Sequence, residues 1–362
     1  MINVTKSFLP PINEYFDYVQ KVWDSGILTN QGPLLRELED RLKGYLSVKN
    51  IQYVSNGTVA LNLAINSLDI KDGEIITTPF SFVATTTSIL WERCIPVFVD
   101  IDKNTLCIDV KKIEEAITDK TKAILAVHVF GYPCDVDAIE LIAKKHNVKV
   151  IYDAAHAFGS VYKNKSLLDF GDVSTCSFHA TKLFHTVEGG ACVVRDEDVN
   201  KKLDLIKRFG FDKEDYQYVG INAKNSEIHA AMGLSNIKYI DHIIKDRKRV
   251  CKLYDKLLGD CIGRPMIPNN FQYNYAYYPA IFNSENELLG VLIALNKQDI
   301  FPRRYFYPSL NKLPYLDKKF DCPISEDISK RIVCLPLYVG LEEKDITKIC
   351  DIIKCSLKIT LE

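Results

Sequence analysis

Ala123-Ile124-Leu125-Ala126-Val127 is followed by Asp135–His146, with apolar residues at helical spacing, and then by Val148-Lys149-Val150-Ile151-Tyr152. This strand–helix–strand unit decides the fold, because the pattern repeats on both sides of it. Upstream, strand-like Ile51–Val54, Glu74–Thr77 and Pro96–Asp100 alternate with helical Val59–Leu68, Val83–Trp91 and Val110–Ile117. Downstream, Ser174–Phe178 and Ala191–Val194 continue it more weakly. Strands recurring between helices of this size imply an α/β protein with a three-layer α/β/α domain and a mostly parallel sheet. From Glu227 to Leu258 the texture becomes one long helical stretch, which is expected to lead into a smaller C-terminal α/β domain. The expected division is residues 1–240 and 241–362.

Composition narrows the function classes. Of 362 residues, 47% are hydrophobic, which is ample for a large core. A net charge of −1 without a dense Lys/Arg cluster argues against a nucleic-acid partner. The eleven cysteines form no CxxC pair, so reduced and mostly buried thiols are expected rather than disulfides. No apolar run approaches the ~20 residues that span a bilayer, and the N-terminus has no targeting pattern, so a soluble cytoplasmic protein is expected. The histidines make no ligand-spaced pair with a carboxylate or thiol, and no metal site is expected.

Four short stretches carry chemistry. Ser177-Phe178-His179-Ala180-Thr181-Lys182, followed by Glu188-Gly189-Gly190, sets a lysine after an apolar strand. Taken alone it reads as a surface lysine; in an enclosed site it suits a Schiff base, because burial favours the neutral amine. Tyr152-Asp153-Ala154-Ala155-His156 places a carboxylate at the end of a strand, where ligands of open parallel sheets gather. Asp153 serves equally well as a helix cap or as the partner of a protonated ring nitrogen. Val54-Ser55-Asn56-Gly57-Thr58 runs from strand to helix through a glycine, a turn that suits a phosphate. Pro79-Phe80-Ser81-Phe82 offers a ring to a flat ligand, although a core phenylalanine reads the same way. An amine, an acid, a phosphate turn and an aromatic face together describe a site for pyridoxal phosphate (PLP).

In this order the four stretches resemble the DegT/DnrJ/EryC1/StrS family of sugar aminotransferases, a branch of the aspartate aminotransferase fold. Leu28-Thr29-Asn30-Gln31-Gly32-Pro33, Val127-His128-Val129-Phe130-Gly131, Gly220-Ile221-Asn222-Ala223-Lys224-Asn225-Ser226-Glu227 and Arg303-Arg304-Tyr305 extend the likeness over nearly the whole chain. The resemblance implies that Lys182 holds the cofactor and Asp153 its ring nitrogen. It implies that Gly57, Thr58 and Ser177 hold the phosphate, that Phe82 stacks on the ring, and that His156 lies beside the phenolic oxygen. Asn222 is implied to reach the cofactor phosphate of a neighbouring subunit, hence a homodimer with shared sites. Thr29, Asn30, His179, Glu188, Arg303, Arg304 and Tyr305 are expected to face the substrate, with a solvated basic turn as the plain alternative for the two arginines. Asn225 stands where the family often has methionine. His156 stands for a common glutamine, and a titratable group there is expected to move the pH dependence.

His179-Ala180 is similar to the branch that acts at C-4 of nucleotide-linked 4-keto-6-deoxy sugars. The implied reaction is ping-pong: L-glutamate gives its amino group to the cofactor, which aminates a dTDP-linked 4-keto-6-deoxyglucose. The rival readings are amination at C-3, a dehydratase, and an inactive regulator. Dehydratase relatives carry histidine where Lys182 stands, and a regulator predicts an eroded site.

Overall fold

The computed structural model describes residues 1–359. Its centre is a seven-stranded sheet. In chain order the strands are β1 (Asn50–Val54), β2 (Glu74–Thr77), β3 (Ile95–Phe98), β4 (Thr121–Val127), β5 (Lys149–Asp153), β6 (Val173–Ser177) and β7 (Gly190–Val194). Across the sheet they run β1-β7-β6-β5-β4-β2-β3. Every pairing is parallel except those of β7, which is antiparallel to both neighbours.

Alternation along the strands explains the layers. Ile76, Ile124, Ala126 and Tyr152 enter one apolar cluster, whereas Ile75, Ala123, Leu125 and Ile151 enter another on the opposite face. Strands buried on both faces require cover on both, which the crossover helices provide. The helix Gly57–Ser67 begins with the Asn56 side chain accepting from Val59 N–H at 2.9 Å. The helix Val136–His146 begins with Asp135 accepting from Ala138 N–H at 3.1 Å and stops at left-handed Asn147.

The long helical stretch expected from Glu227 to Leu258 is two helices, Glu227–Ile237 and Ile240–Leu258. Apolar spacing persists through the break, so the sequence gives no sign of it. Tertiary partners set it: Asn236 is buried and donates to the His185 carbonyl at 3.0 Å, while Lys238 and Tyr239 both bind Glu14. Two helices near the N-terminus, Ile12–Ser25 and Pro33–Leu46, pack their apolar faces on Ala230, Leu234 and Ile240.

C-terminal residues gather their own core from Val250, Tyr254, Leu288, Val291, Ile349 and Ile353. A two-stranded antiparallel ribbon, Pro279–Ile281 with Ile332–Cys334, lies within it. The first residues join this unit, since Ile2–Asn3 pairs in parallel with Ile300–Phe301. All eleven cysteines are free and nine of them are buried. No helix among the described residues is long and apolar enough to cross a membrane.

Candidate active site

Lys182 emerges from the tight turn that follows β6. Its backbone N–H donates to His179 O at 2.8 Å, and Thr186 N–H closes the loop on Phe178 O at 2.9 Å. Behind the loop, buried His185 contacts Phe8 O at 2.7 Å, and Ser7 donates to Ala180 O at 2.7 Å. The lysine is half-buried on a cavity of about 610 Å³ at the carboxyl ends of the strands. Enclosure lowers its pKa, an effect offset in part by the neighbouring Tyr305 and Asp153.

Asp153 ends β5 and faces the same cavity. Thr85 Oγ1 donates to one carboxylate oxygen at 2.7 Å and Ala155 N–H to the other at 3.1 Å. Thr85 is itself in contact with Ser81 Oγ at 2.7 Å. Burial pushes the Asp153 carboxyl up despite these donors and the nearby Lys182, and no ion pair reaches it among the described residues. A buried carboxylate in this state lacks a cation, and a protonated ring nitrogen is one that fits.

His156 lies parallel to two aromatic neighbours, with Phe306 at 5.7 Å and Phe130 at 6.3 Å between ring centroids, and these two are stacked on each other at 5.6 Å. Phe130 N–H donates to its Nδ1 at 3.2 Å, which leaves the proton of the neutral ring on Nε2. Burial, and then the Lys182 charge, hold its pKa well below the ordinary value. With its pKa lowered, the ring offers an Nε2–H donor at neutral pH, as a glutamine would offer its amide N–H.

The turn at Asn56–Thr58 is tightly built. A Cβ on Gly57 would stand 2.8 Å from Ser177 Cβ, and one on Gly190 would stand 2.5 Å from the Asn56 carbonyl carbon. Only glycine at both positions lets the start of the helix Gly57–Ser67, led by the N–H groups of Gly57 and Thr58, meet Ser177 at the cavity wall. Asn225, in the place of a common methionine, ties this corner together by donating to Tyr53 Oη at 3.0 Å and Glu188 O at 2.9 Å.

The cavity thus brings together Gly57, Thr58, Phe82, Asp153, His156, Ser177 and Lys182, along with His179, Glu188, Arg303 and Tyr305. Phe82 is 50% exposed at the cavity wall. His179 Nε2 approaches Glu188 Oε1 at 3.6 Å. The remaining expected residues lie elsewhere. Arg304 is bound to Glu285 at 2.9 Å and to the Lys330 carbonyl at 2.7 Å, away from the cavity wall. Thr29 and Asn30 are exposed in the loop before the helix Pro33–Leu46. Asn222 is exposed and accepts from Lys224 at 2.8 Å. Thr85 and Tyr277 were not foreseen; Tyr277 Oη lies 3.4 Å from Lys182 Nζ.

Residues 12–354 match the model of the DegT/DnrJ/EryC1/StrS aminotransferase family. The chain belongs to that family. The PMP form of a putative sugar aminotransferase from Streptococcus pneumoniae superposes with a TM-score of 0.90 at 25% identity, covering 98% of this chain and 99% of that one. The chain is 41% identical over 351 residues to a dTDP-4-amino-4,6-dideoxy-D-glucose transaminase of Shigella dysenteriae, covering 94% of this chain and 95% of that one. It is 40% identical over 361 residues to the enzyme of the same name from Escherichia coli, covering 96% of each. The crystal structure of DesI with its TDP-sugar product superposes with a TM-score of 0.93 at 29% identity, covering 99% of this chain and 95% of that one.

Proposed function

We propose that this aminotransferase moves the amino group of L-glutamate to C-4 of dTDP-linked 4-keto-6-deoxyglucose. The product would be dTDP-4-amino-4,6-dideoxyglucose, a precursor for surface polysaccharide such as O-antigen. The observation that carries the reading is the meeting, on one cavity, of the Lys182 amine, the Asp153 carboxylate without a cation, and the glycine-built turn at Gly57. The C-4 position draws on His179-Ala180 and on the likeness to the Shigella and Escherichia enzymes.

PLP fits these residues. Lys182 would hold it covalently, Asp153 would keep its ring nitrogen protonated, and Gly57, Thr58 and Ser177 would bind its phosphate. Phe82 would cover a ring face, and His156 would donate from Nε2 to the phenolic oxygen. When bound, the cofactor supplies an electron sink for the carbon that loses its proton. The Lys182 amine would accept the proton that leaves the glutamate Cα, and with the keto-sugar it would return a proton to the carbon that receives the amino group. His179, Glu188, Arg303 and Tyr305 would meet the nucleotide-sugar, the arginine suiting its diphosphate.

The reading includes a cytoplasmic homodimer. Phe209, Val219 and Ile221 expose apolar side chains near Asn222, which does not line the cavity that holds Lys182 and would serve a neighbour's. It also includes a division into domains near residue 240, supported by the helix break at Lys238–Tyr239 and the separate C-terminal core.

Purified protein supplied with PLP, glutamate and a panel of dTDP- and UDP-keto-sugars, with NMR of the product, tests the substrate and the position. A C-3 amine in the product refutes the C-4 reading. Lys182→Ala is expected to lose both the visible absorbance of lysine-bound cofactor and turnover; a variant that kept normal turnover would remove the basis of the whole assignment.

A further inference from the structure

We propose that Tyr277 is a positioning residue for Lys182, its buried phenol holding the lysine amine in place in both of the amine's protonation states. The inference rests on Lys182 being the cofactor-bearing base, as proposed above. Tyr277 Oη lies 3.4 Å from Lys182 Nζ. A hydroxyl both donates and accepts, so one phenol can accept from the ammonium and donate to the free amine. Burial raises the Tyr277 pKa, so the hydroxyl keeps its proton and is a fixed partner rather than a second acid.

The surroundings leave this phenol little room to move. Its ring lies against His156, with centroids 4.6 Å apart, and edge-on to Tyr305 at 5.7 Å. Its backbone belongs to a strap, Tyr273–Tyr277, braced within itself and fastened from two sides. Tyr273 Oη donates to Tyr277 O at 2.8 Å. Asn274 donates to His156 O at 2.8 Å and Phe158 O at 2.9 Å, which ties the strap to the segment carrying His156. Arg247, only 5% exposed, donates to Tyr275 O at 2.8 Å and also to Ala276 O. Among the described residues no carboxylate pairs with that arginine; its donors go to the strap. A buried cation committed to two carbonyls is an expensive anchor for a merely space-filling tyrosine.

A packing role and a positioning role diverge when only the hydroxyl is removed. In the Tyr277→Phe holoenzyme, the visible absorbance of lysine-bound cofactor is expected to form as in the unaltered protein. Its absence from the unaltered protein would instead refute the proposed function. The saturating rate of the glutamate half-reaction is expected to fall roughly 10- to 100-fold, with half-saturation changed less than about twofold. Labelling of Lys182 by an amine reagent across pH, in full-length protein without cofactor, gives a second readout. Hydrogen bonds to a charged partner are stronger than those to a neutral one, so losing the hydroxyl lowers the labelling midpoint by roughly half to one pH unit. Fluorotyrosine at position 277 alone keeps the shape and makes the phenol a weaker acceptor and stronger donor. It is expected to move the midpoint the same way, and it decides the matter should Tyr277→Phe not fold. A rate within twofold of the unaltered enzyme in Tyr277→Phe, or an unmoved midpoint with fluorotyrosine, overturns the proposal.

Discussion

Asp153 holds a charge that its own chain balances only in part. Thr85 and Ala155 stabilise the carboxylate, yet burial still raises its pKa. A carboxyl whose folded pKa lies above the unfolded one adds stability below the unfolded value, about pH 4, and loses it as pH rises through the folded value. At neutral pH the cofactor-free protein therefore carries a cost that a bound ring cation offsets. Asp153→Asn is accordingly expected to stabilise the cofactor-free protein at pH 8, by on the order of 1 kcal/mol, and to have no such effect below pH 4. The same variant is expected to weaken PLP binding by at least about 100-fold, close to 3 kcal/mol. Melting temperatures at the two pH values and an absorbance titration with PLP check both halves. A destabilised variant at pH 8 contradicts the account. This residue and Lys182 were legible in the sequence because each sits in a short strand-end motif. Thr85 and Tyr277 were not: they meet their partners across 68 and 95 residues of chain, and no local spacing records such a contact.

At the scale of elements, the strand–helix alternation was readable because its periods are local, whereas the junctions depend on distant groups. The start of the helix Pro33–Leu46 shows this well. Its cap is not in the preceding loop but in buried Glu227, whose two carboxylate oxygens accept from Leu34 N–H at 2.7 Å and Leu35 N–H at 3.0 Å. Glu227 N–H in turn donates to Leu28 O at 2.9 Å, so one residue grips both ends of the Thr29–Gly32 loop. Gly32 permits the approach, since a Cβ there would stand 2.5 Å from Glu227 Cδ. Glu227→Gln replaces one acceptor by a donor facing a helix N–H, and it removes a negative charge from the helix N-terminus. A loss of about 1–3 kcal/mol is expected in urea unfolding. Gly32→Ala is expected to lose a comparable amount by forcing the same carboxylate aside. If both variants unfold like the unaltered chain, the grip is not what holds the loop.

At the scale of the whole molecule, the expected site divides. One set lines a single cavity; Thr29, Asn30 and Asn222 lie exposed outside it, and Arg304 is held by Glu285 away from the cavity wall. A sequence does not distinguish a residue that serves its own cavity from one that serves a neighbour's, because both belong to the same motif pattern. Around Asn222, Val219 is 90% exposed, Phe209 50% and Ile221 44%, an apolar surface that a second copy would cover. In an isolated chain, a charge at Val219 should alter little, since a side chain so exposed makes few contacts. In a dimer it would be buried without a partner, at a cost of several kcal/mol. Val219→Glu is therefore expected to shift the protein from twice the mass of one chain toward a single chain in sedimentation. It is also expected to lower turnover at least about tenfold at micromolar protein, with the loss partly recovered as concentration rises. Recovery with concentration is the discriminating feature, because damage confined to one subunit would not respond to it. An unaltered chain that sediments at the mass of one copy while fully active would leave Asn222 without a neighbour to serve, and the shared site would have to be abandoned.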